Sequence, residues 1–73
     1  GIPNLYYDAY SNQFRLNENN GEIYQLYVYD VWGRLLISTQ IQQMTQNNIE
    51  KNGVYFYHLI NEKGFGKTVI IIV

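Results

Sequence analysis

Hydrophobic and polar residues alternate with a period of two along most of this chain, which predicts β-strands rather than helices. In the segment that ends at Asp30, Tyr24, Leu26 and Val28 fall on one face, while polar Gln25 falls on the other. We therefore expect a half-buried strand whose Leu26/Val28 face points into the core. Shorter runs predict the remaining strands, over residues 5–10, 14–16, 34–38, 54–61 and 67–73.

Glycine and asparagine separate these runs and predict the turns. Asn20-Gly21 is typical of a type I′ hairpin, because both residues tolerate positive φ. Asp30-Val31-Trp32-Gly33 and Asn61-Glu62-Lys63-Gly64 predict two more hairpins built on type I turns. In the first of them we expect the glycine to adopt the left-handed conformation. On the strand that follows it, Leu35 and Ile37 should point inward.

The segment from Gln40 to Asn48 is rich in glutamine and asparagine and has no clear period. We expect Ile41, Met44 and Ile49 to anchor it to the core as a short strand plus a loop. Together the chain carries six or seven predicted strands with a turn every 8–12 residues. This spacing predicts an all-β fold, a small β-sandwich of mostly antiparallel strands.

Composition limits the classes of protein that fit. A chain of 73 residues makes one small domain, which buries only about 60% of its unfolded surface. It has no cysteine for a disulfide and no His/Cys cluster for a structural metal. A net charge of −1 with five scattered basic residues argues against nucleic acid as a partner. We also expect no transmembrane segment and no signal peptide within these residues.

Few residues offer chemistry. His58 is the only histidine, and no nucleophile or carboxylate accompanies it in the sequence, so we expect it on the less buried face of its strand. Glu18, Asn19, Asn20 and Glu22 supply oxygen atoms that calcium prefers, but without the spacing of a dedicated calcium loop. We favour an ordinary turn there. The sequence predicts no enzyme, no metal site and no cofactor.

The turn that contains Trp32 has two readings. Asp30 can cap the turn through its backbone N–H groups and pair with Arg34, or the whole hairpin can be an exposed recognition surface. The first reading explains the aspartate without any partner. Trp32 itself is either tucked against the sheet or left exposed as an anchor for a partner. The sequence leaves that choice open.

The tyrosines and the last strand each have two possible roles. Tyr27, Tyr29, Tyr55 and Tyr57 either stabilise the sheet, which we favour, or form an aromatic platform for glycans. A carbohydrate-binding or adhesive sandwich is therefore the alternative function. The segment Val69–Val73 is apolar on both faces. It is either an inner strand or a docking edge for strand addition, and in an isolated fragment an unpaired strand of this kind favours a homodimer.

Three motifs resemble the C-terminal sorting domains of the type IX secretion system of Bacteroidetes. They are Val28-Tyr29-Asp30 with Gly33-Arg34-Leu35-Leu36, then Gly53-Val54-Tyr55-Phe56, then Gly66-Lys67 with Val69 to Val73. Their order, spacing and position in the chain agree with that family from Ile23 onward. The chain departs from the family at its start, where Pro3-Asn4 stands in the opposite order to the family's Asn-Pro pair.

The resemblance implies an Ig-like β-sandwich that does no chemistry and serves as one C-terminal sorting domain over residues 1–73, with residues 1–4 as a linker remnant. It implies three partners: the outer-membrane translocon, a shuttle protein and a sortase that cleaves near or before Pro3. The attached protein would cross the periplasm and end at the cell surface or secreted. Carried onto this chain, partner recognition falls on Asp30, Gly33, Arg34, Leu35, Gly53, Tyr55, Lys67, Val69, Ile71 and Val73.

Overall fold

The computed structural model describes residues 1–73, which form seven β-strands and no helix. The strands are β1 (Leu5–Asp8), β2 (Gln13–Leu16), β3 (Tyr24–Tyr29), β4 (Leu35–Ile41), β5 (Met44–Gln46), β6 (Val54–Ile60) and β7 (Gly66–Ile72). They make a three-stranded sheet in the order β1-β2-β5 and a four-stranded sheet in the order β4-β3-β6-β7. Every strand pairing is antiparallel. The predicted all-β sandwich is confirmed.

The core lies between the two sheets and follows the alternation read from the sequence. In β3 and β6, the central strands of the larger sheet, every second residue is buried. Leu26 and Leu59 face each other across these two strands and are fully buried. Burial of a side chain of this size contributes roughly 1.5–3 kcal/mol. The other core residues are Leu5, Phe14, Leu16, Tyr24, Val28, Ile37, Ile41, Tyr55, Tyr57 and Ile71.

The hairpin predicted at Asn20-Gly21 is wrong. Gly21 does have a positive φ of 78°, but the strands on either side of it, β2 and β3, belong to different sheets. Phe14 on β2 and Tyr24 on β3 are both buried in the core from opposite sides. The segment between them therefore crosses from one layer to the other. The need to bury both apolar faces outweighs the local preference of the Asn-Gly pair.

Two predicted core residues are exposed instead. A β-bulge shifts the β3–β4 register, so that Val28 pairs with Ile37 but Tyr29 pairs with Leu35. The shift turns Leu35 to the outer face, where it is 52% exposed, while Ile37 stays buried as predicted. Met44 does not anchor its segment, because β5 is a three-residue edge strand on which methionine is exposed.

The last strand, β7, lies at the edge of the four-stranded sheet and not inside it. Of its seven residues only Ile71 is buried. Lys67 joins this strand to the start of the chain, since its Nζ donates to the carbonyl of Ile2 at 3.1 Å and to Oδ1 of Asn4 at 2.5 Å. Pro3, between these two residues, is buried. The first residues are thus held against the sandwich.

Candidate partner-binding site

The turn from Asp30 to Arg34 joins β3 to β4 and is built around one carboxylate. The N–H of Asp30 donates to the carbonyl of Arg34, and the N–H of Gly33 donates to the carbonyl of Asp30, both at 3.0 Å. Oδ1 of Asp30 also accepts the N–H groups of Trp32 and Arg34, each at 2.9 Å. Gly33 has a φ of 81°, the left-handed conformation that was predicted for it.

Asp30 is the only buried charged residue of the chain. Burial raises the pKa of its carboxyl group, but the hydrogen bonds from Arg34 and Trp32 and the charge of Arg34 lower it by more. The pKa of Asp30 is therefore below its ordinary value. The carboxylate is ionised at neutral pH and holds Nε of Arg34 at 2.6 Å.

Trp32 is exposed and is not tucked against the sheet. Its side chain is 78% exposed at the tip of the turn. The guanidinium group of Arg34 lies over the indole ring, 5.2 Å from the ring centre, as in a cation–π contact. Asp30 and Trp32 together hold this guanidinium group in place. Its two terminal nitrogens make no hydrogen bond within the chain, so they remain available to a partner.

A second motif, Gly53-Val54-Tyr55, lies at the start of β6. Its first position requires glycine because of the tyrosine two residues later. The ring of Tyr55 folds back over Gly53 so closely that a Cβ at that position would lie 2.6 Å from the ring. The Tyr55 hydroxyl donates to the carbonyl of Glu50 at 2.8 Å and so closes the loop before the strand. A comparable link, the tyrosine corner, occurs in immunoglobulin-like sandwiches. Burial raises the pKa of the Tyr55 hydroxyl.

These two motifs form the walls of one groove, which we name the Trp32–Tyr55 groove. It has a volume of about 640 Å³, within the range of ligand sites. Its residues come from the β3–β4 hairpin and from the loop and strand around Gly53. They are Asp30, Val31, Trp32, Arg34, Leu36, Ile37, Asn48, Ile49, Glu50, Gly53, Val54 and Tyr55. Most of them are apolar, and three, Asp30, Arg34 and Glu50, are charged.

The end of β7 is attached to the same region. The N–H of Val73 donates to the carbonyl of Gly53 at 3.0 Å, and the N–H of Asn52 donates to the carbonyl of Val73 at 2.6 Å. Val73 is thus fixed beside a residue of the groove wall. Three segments that are far apart in sequence, around Asp30, Gly53 and Val73, meet at one end of the sandwich.

The structure does not bring the other expected recognition residues to this groove. Leu35 lies on the outer face of the sheet, opposite Tyr29. Lys67 is at the far end of β7 and binds the first residues of the chain. Val69 and Ile71 point towards the core side of the sheet, beside buried Tyr57 and Tyr55. Of the ten residues, Asp30, Arg34, Gly53 and Tyr55 line the groove, while Gly33 and Val73 are directly joined to it.

Sequence reasoning missed several groove residues. Leu36 is the extra, unpaired residue of the β-bulge, and it lines the groove. Asn48, Ile49 and Glu50 come from the glutamine- and asparagine-rich segment, where only Ile49 was predicted to matter, as a core anchor. It does pack against the core. The Gly33 turn does not explain the bulge, because the Gly64 turn has the same hydrogen bonds and is followed by an unbroken β6–β7 register.

The remaining candidates show no comparable arrangement. Nδ1 of His58 lies 2.6 Å from Oγ1 of Thr68, on the outer face of the sheet, as predicted for this histidine. The four tyrosines do not form a shared platform, because Tyr55 and Tyr57 are buried while Tyr27 and Tyr29 face outward. No cluster of three or more His, Cys, Asp or Glu residues is suited to a metal ion. The chain contains no helix with the length and apolar character needed to cross a membrane.

Comparisons with known proteins identify no relative. No family model, no curated protein and no solved structure matches the chain.

Proposed function

We propose that this chain is a non-catalytic recognition domain that directs an attached protein to the type IX secretion translocon, for export across the outer membrane and attachment to the cell surface. The translocon, its shuttle protein and its sortase are the partners in this proposal. The attached protein passes through the periplasm and ends at the cell surface or secreted.

The observation that carries the proposal is the meeting of the resembling motifs in space. Most residues of the segment Asp30–Leu36 line the same groove as Gly53–Tyr55, although the two segments are far apart in sequence. Val73, the end of the third motif, is hydrogen-bonded to Gly53. Motifs that served only to build turns would have no reason to converge. A shared recognition surface accounts for their co-occurrence.

The groove also has the composition of a protein-binding site. Trp32 and Arg34 are residue types that often dominate the binding energy of interfaces, and both are exposed. Beside them lie the exposed apolar side chains of Val31, Leu36 and Val54. A partner that covers these side chains gains burial of apolar surface, and the free guanidinium nitrogens add directional hydrogen bonds.

The test is export of a reporter fused in front of residues 1–73, in a bacterium with a working type IX system. We expect the reporter at the cell surface or in the medium, and we expect Trp32→Ala combined with Arg34→Ala to leave most of it in the periplasm. The matched control is Lys63→Ala combined with Phe65→Ala. These residues occupy the same positions in the other type I hairpin, far from the groove, and their substitution should leave export unchanged.

A reporter with the unaltered domain that stays in the periplasm would refute the proposed function. Export of the Trp32/Arg34 variant at the level of the unaltered domain would refute the role of the groove. Thermal unfolding of both double variants separates loss of recognition from loss of folding. All four residues are exposed, so we expect both variants to remain folded.

A further inference from the structure

The free edge of β7 presents backbone groups without partners. Asn61 N–H donates to the carbonyl of Phe65, and Val73 exchanges hydrogen bonds with Asn52 and Gly53. In an antiparallel ladder the backbone groups of successive residues point to alternate sides. Odd-numbered residues of β7 therefore face β6, and the N–H and C=O groups of Gly66, Thr68, Ile70 and Ile72 face away from the sheet. β7 pairs only with β6, and none of the backbone hydrogen bonds outside the strand ladders involves these four residues.

The same residues carry the most exposed apolar side chains of the strand. Ile70 is 57% exposed and Ile72 is 75% exposed, both on the outer face of the sheet. Even Val69, which points to the core side, is 37% exposed, because the smaller sheet does not cover it fully. Apolar side chains and unpaired backbone groups thus coincide over Thr68 to Ile72.

The other edges of the sandwich are protected, which makes β7 an exception. β4 is interrupted by the bulge at Leu36 and carries polar Ser38 and Gln40 on its outer face. In the smaller sheet β1 has four residues and β5 has three. Bulges, polar side chains and short strands are the usual means by which proteins prevent edge-to-edge pairing. β7 has seven residues in unbroken register with β6, and its only polar side chains, Lys67 and Thr68, lie near its start, so that Val69–Ile72 has none of these features.

We propose that β7 pairs in an antiparallel manner with β7 of a second copy of this chain, about a two-fold axis at Ile70. Ile70 then faces Ile70 of the other copy, Thr68 faces Ile72, and Val69 faces Ile71. Three pairs of residues exchange backbone hydrogen bonds, and the two four-stranded sheets join into one of eight strands. This pairing does not depend on the export role.

A second copy fits this edge better than an unrelated strand because the edge complements itself. Apolar cross-strand pairs stabilise strand pairing, and like charges directly opposite each other destabilise it. The segment Thr68–Ile72 contains no charged residue, and Lys67 is engaged by Ile2 and Asn4. The outer row Leu35, Tyr29, Phe56 and Ile70, which runs across the sheet, continues through the axis into the same row of the other copy. An interface of one strand is small, so we expect a concentration-dependent equilibrium.

A single-cysteine scan tests the pairing and its register, since the natural chain has no cysteine. In the proposed dimer the two Ile70→Cys residues form a hydrogen-bonded pair about 5.5 Å apart between Cα atoms, which a disulfide can span. Thr68→Cys lies about 14 Å from its own copy and should not cross-link with itself, because the two positions are four residues out of register. A mixture of Thr68→Cys and Ile72→Cys should give the mixed disulfide. Ser38→Cys, on the opposite edge, should form no disulfide.

Sedimentation of the chain without cysteines gives the second measurement. We expect a reversible dimer and, for Ile70→Lys, a dissociation constant raised by about tenfold or more, because two ammonium groups would then face each other at the axis. Ser38→Lys is the matched control and should dimerise like the unaltered chain. A monomer up to millimolar concentration would overturn the proposal, as would self-cross-linking of Thr68→Cys in preference to Ile70→Cys.

Discussion

Two hairpin turns at opposite ends of the four-stranded sheet have the same hydrogen bonds but different first residues. In the turn from Asn61 to Phe65, Oδ1 of Asn61 accepts two backbone N–H groups at 3.0 Å, as Oδ1 of Asp30 does in the turn from Asp30 to Arg34. The N–H of the glycine donates to the carbonyl of the first residue at 3.0 Å in both turns. The backbone of one turn thus repeats the other.

The comparison separates what a turn requires from what Asp30 adds. A side-chain oxygen at the first position is sufficient for this turn, since a neutral asparagine provides it at Asn61. The negative charge of Asp30 is therefore not needed for the turn. Its second oxygen holds Arg34 at 2.6 Å, over the ring of Trp32. The negative charge of Asp30 therefore positions Arg34 at the groove, and the backbone of the turn positions Asp30.

Removal of the capping side chain should have the largest effect on stability. Asn61→Ala leaves two backbone N–H groups to water and should lower the free energy of unfolding by about 1–2 kcal/mol. Asp30→Ala should lower it further, because a buried carboxylate that also orients Arg34 is lost. Urea unfolding at neutral pH measures both. Equal losses in the two variants would show that the contact with Arg34 contributes nothing to stability.

Substitution of the two glycines should have a smaller effect that is the same in both turns. Gly33 has a φ of 81° and Gly64 a φ of 86°, and at neither position would a Cβ meet another atom within 4 Å. Only the cost of the left-handed conformation remains, about 1 kcal/mol for Gly33→Ala and for Gly64→Ala. The same unfolding experiment measures it. Chemical synthesis with D-alanine at either position is the control and should restore stability, while clearly unequal losses would contradict the equivalence of the two backbones.

Both turns could be predicted from sequence because their chemistry is contained in five residues each. The alternation that buries Leu26 and Val28 is equally local, and it gave the sandwich and most of its strands. The prediction of a hairpin at Asn20-Gly21 was wrong because β2 and β3 belong to different sheets. The sheet to which a strand belongs depends on packing between segments that are distant in sequence.

The groove could be predicted only in part for the same reason. Asp30 and Arg34 were identified from their turn, and Gly53 and Tyr55 from their motif, but no local pattern places the two motifs side by side. Their proximity follows from the pairing of β3 with β6, in which Tyr29 faces Phe56. Glu50 enters the groove because the Tyr55 hydroxyl binds its carbonyl and holds the loop.

Exchange of the two capping residues should have the smallest effect at neutral pH and a distinct one in acid. The pKa of Asp30 is lower in the folded chain than in the unfolded chain, because hydrogen bonds from Arg34 and Trp32 outweigh the effect of burial. The unfolded state therefore binds a proton more readily, and stability falls as the pH drops from about 4 through the lowered pKa. Asp30→Asn keeps the turn and removes this contribution, so its stability should fall less steeply in acid.

The reverse exchange sharpens the comparison. In Asn61→Asp the new carboxylate should accept the N–H groups of Lys63 and Phe65, which favours its ionised form and lowers its pKa. Its free energy of unfolding should then fall more steeply in acid than that of the unaltered chain. Asp8, whose pKa is also below its ordinary value, contributes equally in all three proteins. Urea unfolding between about pH 2 and about pH 6 gives the slopes. The same slope in all three proteins would mean that neither turn favours a charged capping residue, and that the charge of Asp30 is not used by Arg34.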